Sequence, residues 1–265
     1  MSTTSEKYKT DYLFQKVNDT VPIVFIHGVG LTKEIWEPQL SFFKKNNLII
    51  YDLLGHGKTP LEKNQLNLDD FTRQLLNLIN ELEIDKVHLV GHSLGALVAR
   101  NFASKHGYRL NSLTLYASIY KRTEEQMRVI ENRFELMKSD KPASKDRAVR
   151  RWFTESYLAE NKDMYNKIFN ILDNNDLGNL LRAYKLFVRF EDDDLLIKSI
   201  DTKTLVVTGQ YDVGSTPKMG KDLANTIKNS EYVEIPNGKH LCNIECSENF
   251  NKVLEKFIDK NYEQI

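Results

Sequence analysis

Leu89-Val90-Gly91-His92-Ser93-Leu94-Gly95-Ala96-Leu97-Val98-Ala99 carries an apolar strand-like run through G-x-S-x-G into a small-residue apolar run of helical character. This is the layout of a nucleophile elbow, in which a tight strand-to-helix turn pushes a serine hydroxyl outward. Gly91 and Gly95 lack a Cβ, so strand and helix can approach closely while Ser93 takes a strained backbone conformation. The helix start beside Ser93 offers backbone N–H groups and partial positive charge to a developing oxyanion. The pentapeptide alone is a weak signal; the strand-turn-helix context gives it weight.

Around the elbow, short apolar runs alternate with amphipathic stretches. The strand candidates are Ile23–Ile26, Leu48–Tyr51, Val87–Val90, Leu113–Tyr116, Leu205–Thr208 and Tyr232–Ile235. Runs of this kind suit a mainly parallel α/β sheet covered by helices on both faces. Tyr12–Val17 is expected as an antiparallel edge strand. Phe71, Leu75, Leu78, Ile79 and Leu82 recur at helical spacing, with Asp69 and Asp70 placed to cap the start. The alternation stops near residue 120 and resumes near 203. Helical stripes fill the gap: Met127, Ile130, Phe134 and Met137, then Val149, Trp152, Phe153 and Tyr157, then Met164, Tyr165, Ile168, Phe169 and Leu172. We therefore expect a core domain of residues 1–120 and 201–265 and a helical cap of residues 121–200. The acidic run Glu191-Asp192-Asp193-Asp194 reads as a solvated loop or helix start.

At 265 residues the chain has room for one α/β domain with an inserted subdomain. Hydrophobic residues at 41% and charged residues at 28% are those of an ordinary globular protein. Lys+Arg and Asp+Glu both total 37, so the charge balance makes no case for nucleic acid or an anionic membrane as a partner. Cys242 and Cys246 read as reduced thiols on or near a helix. The polar N-terminus, Met1 to Thr10, has no apolar h-region, and no apolar run approaches membrane-spanning length. A cytoplasmic location is the expectation.

A serine hydroxyl becomes nucleophilic when a base takes its proton, and the base needs an orienting acid. Of the six histidines, His240 stands apart. It follows the last strand candidate, after Pro236-Asn237-Gly238-Lys239, on the sheet edge that also carries Ser93. His27 and His56 sit in glycine-flanked turns, His88 lies within a strand, and His92 should point away from its neighbour Ser93. His106 should end the post-elbow helix as an imidazolium favoured by the helix dipole. For the acid, Gly209-Gln210-Tyr211-Asp212 presents Asp212 on the correct edge. Asp52 reads instead as a turn carboxylate accepting backbone N–H bonds. The N–H groups of Leu94 and Val29 are the candidate oxyanion donors, with His27 bracing the loop.

The order Ser93, Asp212, His240 is that of α/β-hydrolases. Over nearly its whole length the chain resembles the 3-oxoadipate enol-lactonase and carboxylesterase group of that fold. The matching residues are Phe25-Ile26-His27-Gly28-Val29-Gly30, Tyr51-Asp52-Leu53-Leu54-Gly55-His56-Gly57-Lys58-Thr59, Gly91-His92-Ser93-Leu94-Gly95, Gly209-Gln210-Tyr211-Asp212 and Gly238-Lys239-His240-Leu241-Cys242-Asn243-Ile244-Glu245. Arg151-Trp152-Phe153-Thr154 is also similar to the enol-lactonase cap. Ala96 stands where many relatives carry glycine. Haloalkane dehalogenases place aspartate at the nucleophile, which Ser93 argues against.

The resemblance implies a serine hydrolase acting on a small-molecule ester, lactone or thioester, with no metal or organic cofactor. Acyltransferase and C–C bond hydrolase chemistry on the same triad stay open, as does a low-turnover ligand receptor. Trp152, Phe153, Met127, Phe134 and Phe187 are candidates to line an acyl pocket. A lactonase acting on a carboxylate-bearing substrate needs a basic residue there, for which Arg150, Arg151 and Arg189 are candidates. Acyl chain length and oligomeric state stay open.

Overall fold

In the computed structural model, which describes residues 3–139 and 141–262, eight strands form one sheet in the order β1-β2-β4-β3-β5-β6-β7-β8. They are β1 (Thr3–Thr4), β2 (Asp11–Gln15), β3 (Ile23–Ile26), β4 (Leu48–Tyr51), β5 (Val87–His92), β6 (Leu110–Tyr116), β7 (Thr204–Gly209) and β8 (Ser230–Ile235). From β4 to β8 every pairing is parallel; β1 on β2 and β2 on β4 are antiparallel. The expected edge strand at Tyr12–Val17 is thus β2, shifted toward the N-terminus. It is not the edge, because the two-residue β1 pairs outside it.

The central strands β3 to β7 are buried on both faces. Val24 and Ile26 of β3 face one apolar cluster and Ile23 and Phe25 the other, as the two-residue period of a strand requires. On the first face pack α2 (Leu68–Glu81), α3 (Leu94–His106) and α10 (Pro217–Thr226). On the second lie α1 (Glu37–Phe42), α11 (Cys242–Glu245) and α12 (Ser247–Asp259), with Trp36, Phe250, Leu254 and Phe257 filling the interface. The cap of α2 differs from expectation. Asn67, not Asp69, is the N-cap, and Asp70 closes a capping box by accepting from the Asn67 N–H at 3.1 Å.

Between β6 and β7 no strand occurs among the described residues. Six helices fill the excursion: α4 (Glu124–Ser139), α5 (Lys141–Trp152), α6 (Glu155–Glu160), α7 (Lys162–Asp173), α8 (Leu177–Val188) and α9 (Asp194–Lys198). The acidic run before α9 divides. Asp193 caps α9 through the N–H groups of Leu195 and Leu196, whereas Asp192 is drawn inward onto the buried Arg100 at 2.5 Å. A guanidinium buried in the core needs that counter-charge.

The parallel strands β3 to β8 all end at one edge, so the loops after β3, β4, β5, β6, β7 and β8 converge there.

Candidate active site

Ser93 has φ 54° and ψ −112°, the strained conformation anticipated for the elbow, and its N–H donates to the Tyr116 carbonyl at 3.0 Å. The glycines show why the motif takes this form. A Cβ on Gly91 would lie 2.3 Å from the Gly95 carbonyl oxygen. One on Gly95 would lie 2.4 Å from the Ile26 oxygen and 2.6 Å from that of His27. All of these neighbours are backbone and cannot swing aside. Gly95→Ala is therefore expected to cost about 3 kcal/mol and to lower the melting temperature by about 10 °C. A thermal-unfolding shift below 2–3 °C (about 1 kcal/mol) would show that the two backbones have slack.

Helix α3 begins at Leu94, whose N–H is among the donors that no helical carbonyl accepts. The loop after β3 lies directly against the elbow: a Cβ on Gly28 would sit 3.1 Å from the Ser93 Cβ. That loop is braced from below. His27 accepts from the Leu53 N–H through Nε2 at 3.0 Å, so its Nδ1 carries the proton and donates to the Gly28 carbonyl at 2.8 Å. Asp52 plays the turn role read from sequence, accepting from the N–H groups of Lys33 at 2.8 Å and Lys58 at 3.2 Å. It also shares the Lys33 ammonium with Asp11, at 3.0 and 2.5 Å. This buried triad ties β2 to the loops after β3 and β4, a link with no signature in the local sequence.

Across the cleft, His240 Nδ1 donates to Asp212 Oδ2 at 2.7 Å, and both residues are buried. The other oxygen of Asp212 accepts from the N–H groups of Gly214 at 2.8 Å and Ser215 at 3.0 Å. The His240 carbonyl accepts from the Tyr116 hydroxyl at 2.5 Å and from His92 Nε2 at 3.2 Å. His92, expected to turn away from Ser93, still takes part in holding the site. Its ring packs 4.7 Å from that of His240 and anchors the same loop. Among the described residues no hydrogen bond joins the Ser93 hydroxyl to the His240 ring, but both line one cavity with Asp212 and Val29.

That cavity, about 340 Å³, is roofed by the helices between β6 and β7. Trp152, at the end of α5, stacks 6.1 Å from the His240 ring, and its carbonyl accepts from the Leu241 N–H at 3.1 Å. Phe187 also lines the wall. The other three aromatic and thioether candidates do not. Phe153 is fully buried and stacks on Tyr157, Phe134 meets Tyr184 edge-on, and Met127 is absent from the lining. Helical spacing places all five on apolar faces without saying which face meets a neighbouring helix. Of the basic candidates, Arg151 lines the cavity, whereas Arg150 and Arg189 are exposed. Arg122 and Arg133, which sequence reasoning passed over, line it too.

The remaining histidines are structural, and burial holds them neutral. His27 is pushed down to about 4, His56 to about 3 and His88 to about 4, with His92 well below its ordinary value. His106 departs from its expected role as a dipole-favoured cation: partial burial, Lys105 and Arg109 lower its pKa. In the unfolded chain each imidazole titrates near 6.5, so the unfolded state binds more protons below that pH. Stability is then complete above about pH 6.5 and is lost as pH falls toward 4, by up to about 1.4 kcal/mol per pH unit for each buried histidine. Melting temperature should drop with steepening slope over this window; a flat profile would contradict the burial argument.

A mainly parallel sheet with helices on both faces and a positive-φ serine at a strand-to-helix elbow defines an α/β-hydrolase architecture. The chain belongs to the alpha/beta hydrolase fold family, which matches it over residues 21–245. It is 27% identical over 256 residues, 95% of either chain, to an (E)-2-((N-methylformamido)methylene)succinate hydrolase of Acinetobacter baylyi. It is 26% identical over 239 residues to 3-oxoadipate enol-lactonase 1 of the same organism, covering 89% of this chain and 88% of that one. In fold it resembles the enol-lactonase from Burkholderia xenovorans LB400, with a TM-score of 0.86, 23% identity, and coverage of 94% of this chain and 97% of that one. The relatives are hydrolases, and no helix among the described residues is long and apolar enough to cross a membrane.

Proposed function

We propose that the chain hydrolyses a carboxylic ester, lactone or thioester of a small molecule by two-step acyl transfer. The observation that carries this reading is the buried His240–Asp212 hydrogen bond facing the Ser93 elbow across one cavity. Ser93 Oγ attacks the carbonyl carbon while His240 Nε2 takes the hydroxyl proton, and Asp212 stabilises the imidazolium. The Val29 and Leu94 N–H groups receive the oxyanion. His240 then returns its proton to the leaving alkoxide or thiolate, leaving Ser93 acylated. Water, deprotonated by His240, attacks the acyl carbon and restores the serine. Hydrogen bonds of this kind are commonly long in free enzymes and tighten when substrate binds.

In this reading residues 1–120 and 201–265 form the catalytic core and residues 121–200 a cap that shapes the acyl pocket. Trp152 and Phe187 are apolar residues of its wall and Arg151 is a cation on it, which favours an acyl group bearing a carboxylate. The names of the two relatives, a substituted-succinate hydrolase and an oxoadipate enol-lactonase, point the same way. The free thiols Cys242 and Cys246 fit a cytoplasmic location. A fluorophosphonate probe should label the wild type at Ser93, and p-nitrophenyl esters should turn over. An unlabelled protein with no esterase activity would remove the proposal.

A further inference from the structure

The cavity wall carries a concentration of positive charge. Arg122, Arg133 and Arg151 all line it, and all three guanidiniums act on the phenol of Tyr184, itself only 6% exposed. Among the described residues, neither Arg133 nor Arg151 has an ion pair; Arg151 donates only a long 3.3 Å bond to the Arg147 carbonyl. Arg122 spends its Nη2 on the carbonyls of Phe187, Val188 and Phe190 at 2.8 to 3.0 Å. Its Nη1 is buried with no hydrogen-bond partner among the described residues. Burial, with Arg133 adding to it, brings Arg151 down to about 10, so these like charges meet at an energetic cost.

The other charged groups on the wall do not offset them. Lys145 is already paired with Asp173, Glu125 is exposed at the rim, and Asp212 is committed to His240. Clustered guanidiniums are stable when an anion binds across them, each able to give two parallel N–H donors to a carboxylate. One carboxylate would leave most of this charge uncompensated. The surrounding wall is apolar, with Ile130, Met137, Leu180 and Phe187, and has room for a carbon chain between the anion seat and the serine.

We propose that Arg122, Arg133, Arg151 and the Tyr184 hydroxyl form an acid-binding subsite that selects substrates with two free carboxylates besides the acyl group being cleaved. The inference rests on the ester-hydrolase reading of Ser93 and deepens it by naming the substrate class. The chain length between scissile carbonyl and carboxylates is set by the reach from Ser93 to Tyr184 across the cavity.

The test is a matched series of p-nitrophenyl esters: butyryl, with no free carboxylate; glutaryl, with one; and the mono-ester of propane-1,2,3-tricarboxylic acid, with two. Each carboxylate should raise kcat/KM by about tenfold or more, the scale of a charge-assisted hydrogen bond, and the gain should shrink with added salt. Arg133→Gln should remove at least about tenfold of the preference for the two-carboxylate ester over the butyryl ester. Arg133 has no ion pair among the described residues, so it is a cleaner variant than Arg122→Gln, which also frees the carbonyls of Phe187, Val188 and Phe190. Independently, calorimetry on Ser93→Ala should find propane-1,2,3-tricarboxylate binding more tightly than butyrate. Rapid hydrolysis of the butyryl ester without any preference for the acidic esters would overturn the subsite and leave the hydrolase reading intact. Failure to hydrolyse any ester would strike the hydrolase reading, and the calorimetric comparison would still decide the subsite. Equal or absent binding of the two acids would reject it.

Discussion

Ser93→Ala is expected to lower kcat toward small esters by about a million-fold while leaving the fold intact. In the proposed mechanism the serine, histidine and aspartate act as a unit, so removing the nucleophile removes the benefit of the base as well. His240→Ala should cost about as much, and the double variant little more than either alone. What remains, about 10³ to 10⁴ over the reaction in water, would come from the Val29 and Leu94 donors and from substrate positioning. The strained φ of 54° at position 93 adds a second, opposite readout. Ser93→Gly should relax that strain and raise the melting temperature by about 2–4 °C, that is about 1 kcal/mol or more, while being as inactive as the alanine variant. Turnover by Ser93→Ala within a hundredfold of wild type, in protein shown free of host esterase, would mean that the nucleophile lies elsewhere.

The second large effect is expected at Asp212. Its two carboxylate oxygens have different duties. Oδ1 accepts from the N–H groups of Gly214 and Ser215, and Oδ2 accepts from His240 Nδ1. Asparagine offers one oxygen and one NH₂ group. Keeping the oxygen on the two backbone donors turns the NH₂ toward His240, whose Nδ1 must then accept. The ring proton moves to Nε2, and the imidazole can no longer take a proton from Ser93. Asp212→Asn should therefore reduce kcat by about 10⁴-fold with little change in overall structure. Nitrogen chemical shifts of the His240 ring would report the tautomer directly. A variant that keeps the wild-type tautomer and loses less than tenfold in kcat would show that Asp212 only packs against the ring.

Much of this site is legible in the chain itself. The elbow, the strand ends and the glycine turns are written within a few residues each, because backbone conformation and the two-residue strand period act over that range. Asp212 and His240 are found because parallel strands deliver their following loops to one edge. Other residues are out of reach for the same reason. Thr3–Thr4 pairs outside β2 although two residues carry no period. Arg133 on α4 and Tyr184 on α8 lie far apart in the sequence, and only helix packing brings them together. Arg150 and Arg151 are neighbours of one type, yet the first faces solvent and the second the cavity. A turn of about 100° per residue separates them on the helix, and the packing of α5 determines which of the two points inward.

By itself, then, the sequence determined a covered parallel sheet, the elbow at Ser93 and the strand-end positions of Asp212 and His240. Only tertiary structure decided how the insertion roofs the cavity, which side chains line it and where their charge collects. The division follows from range: strand alternation and turn geometry are imposed by neighbours along the chain. Which face of a helix is covered depends on what packs against it from far away in the sequence.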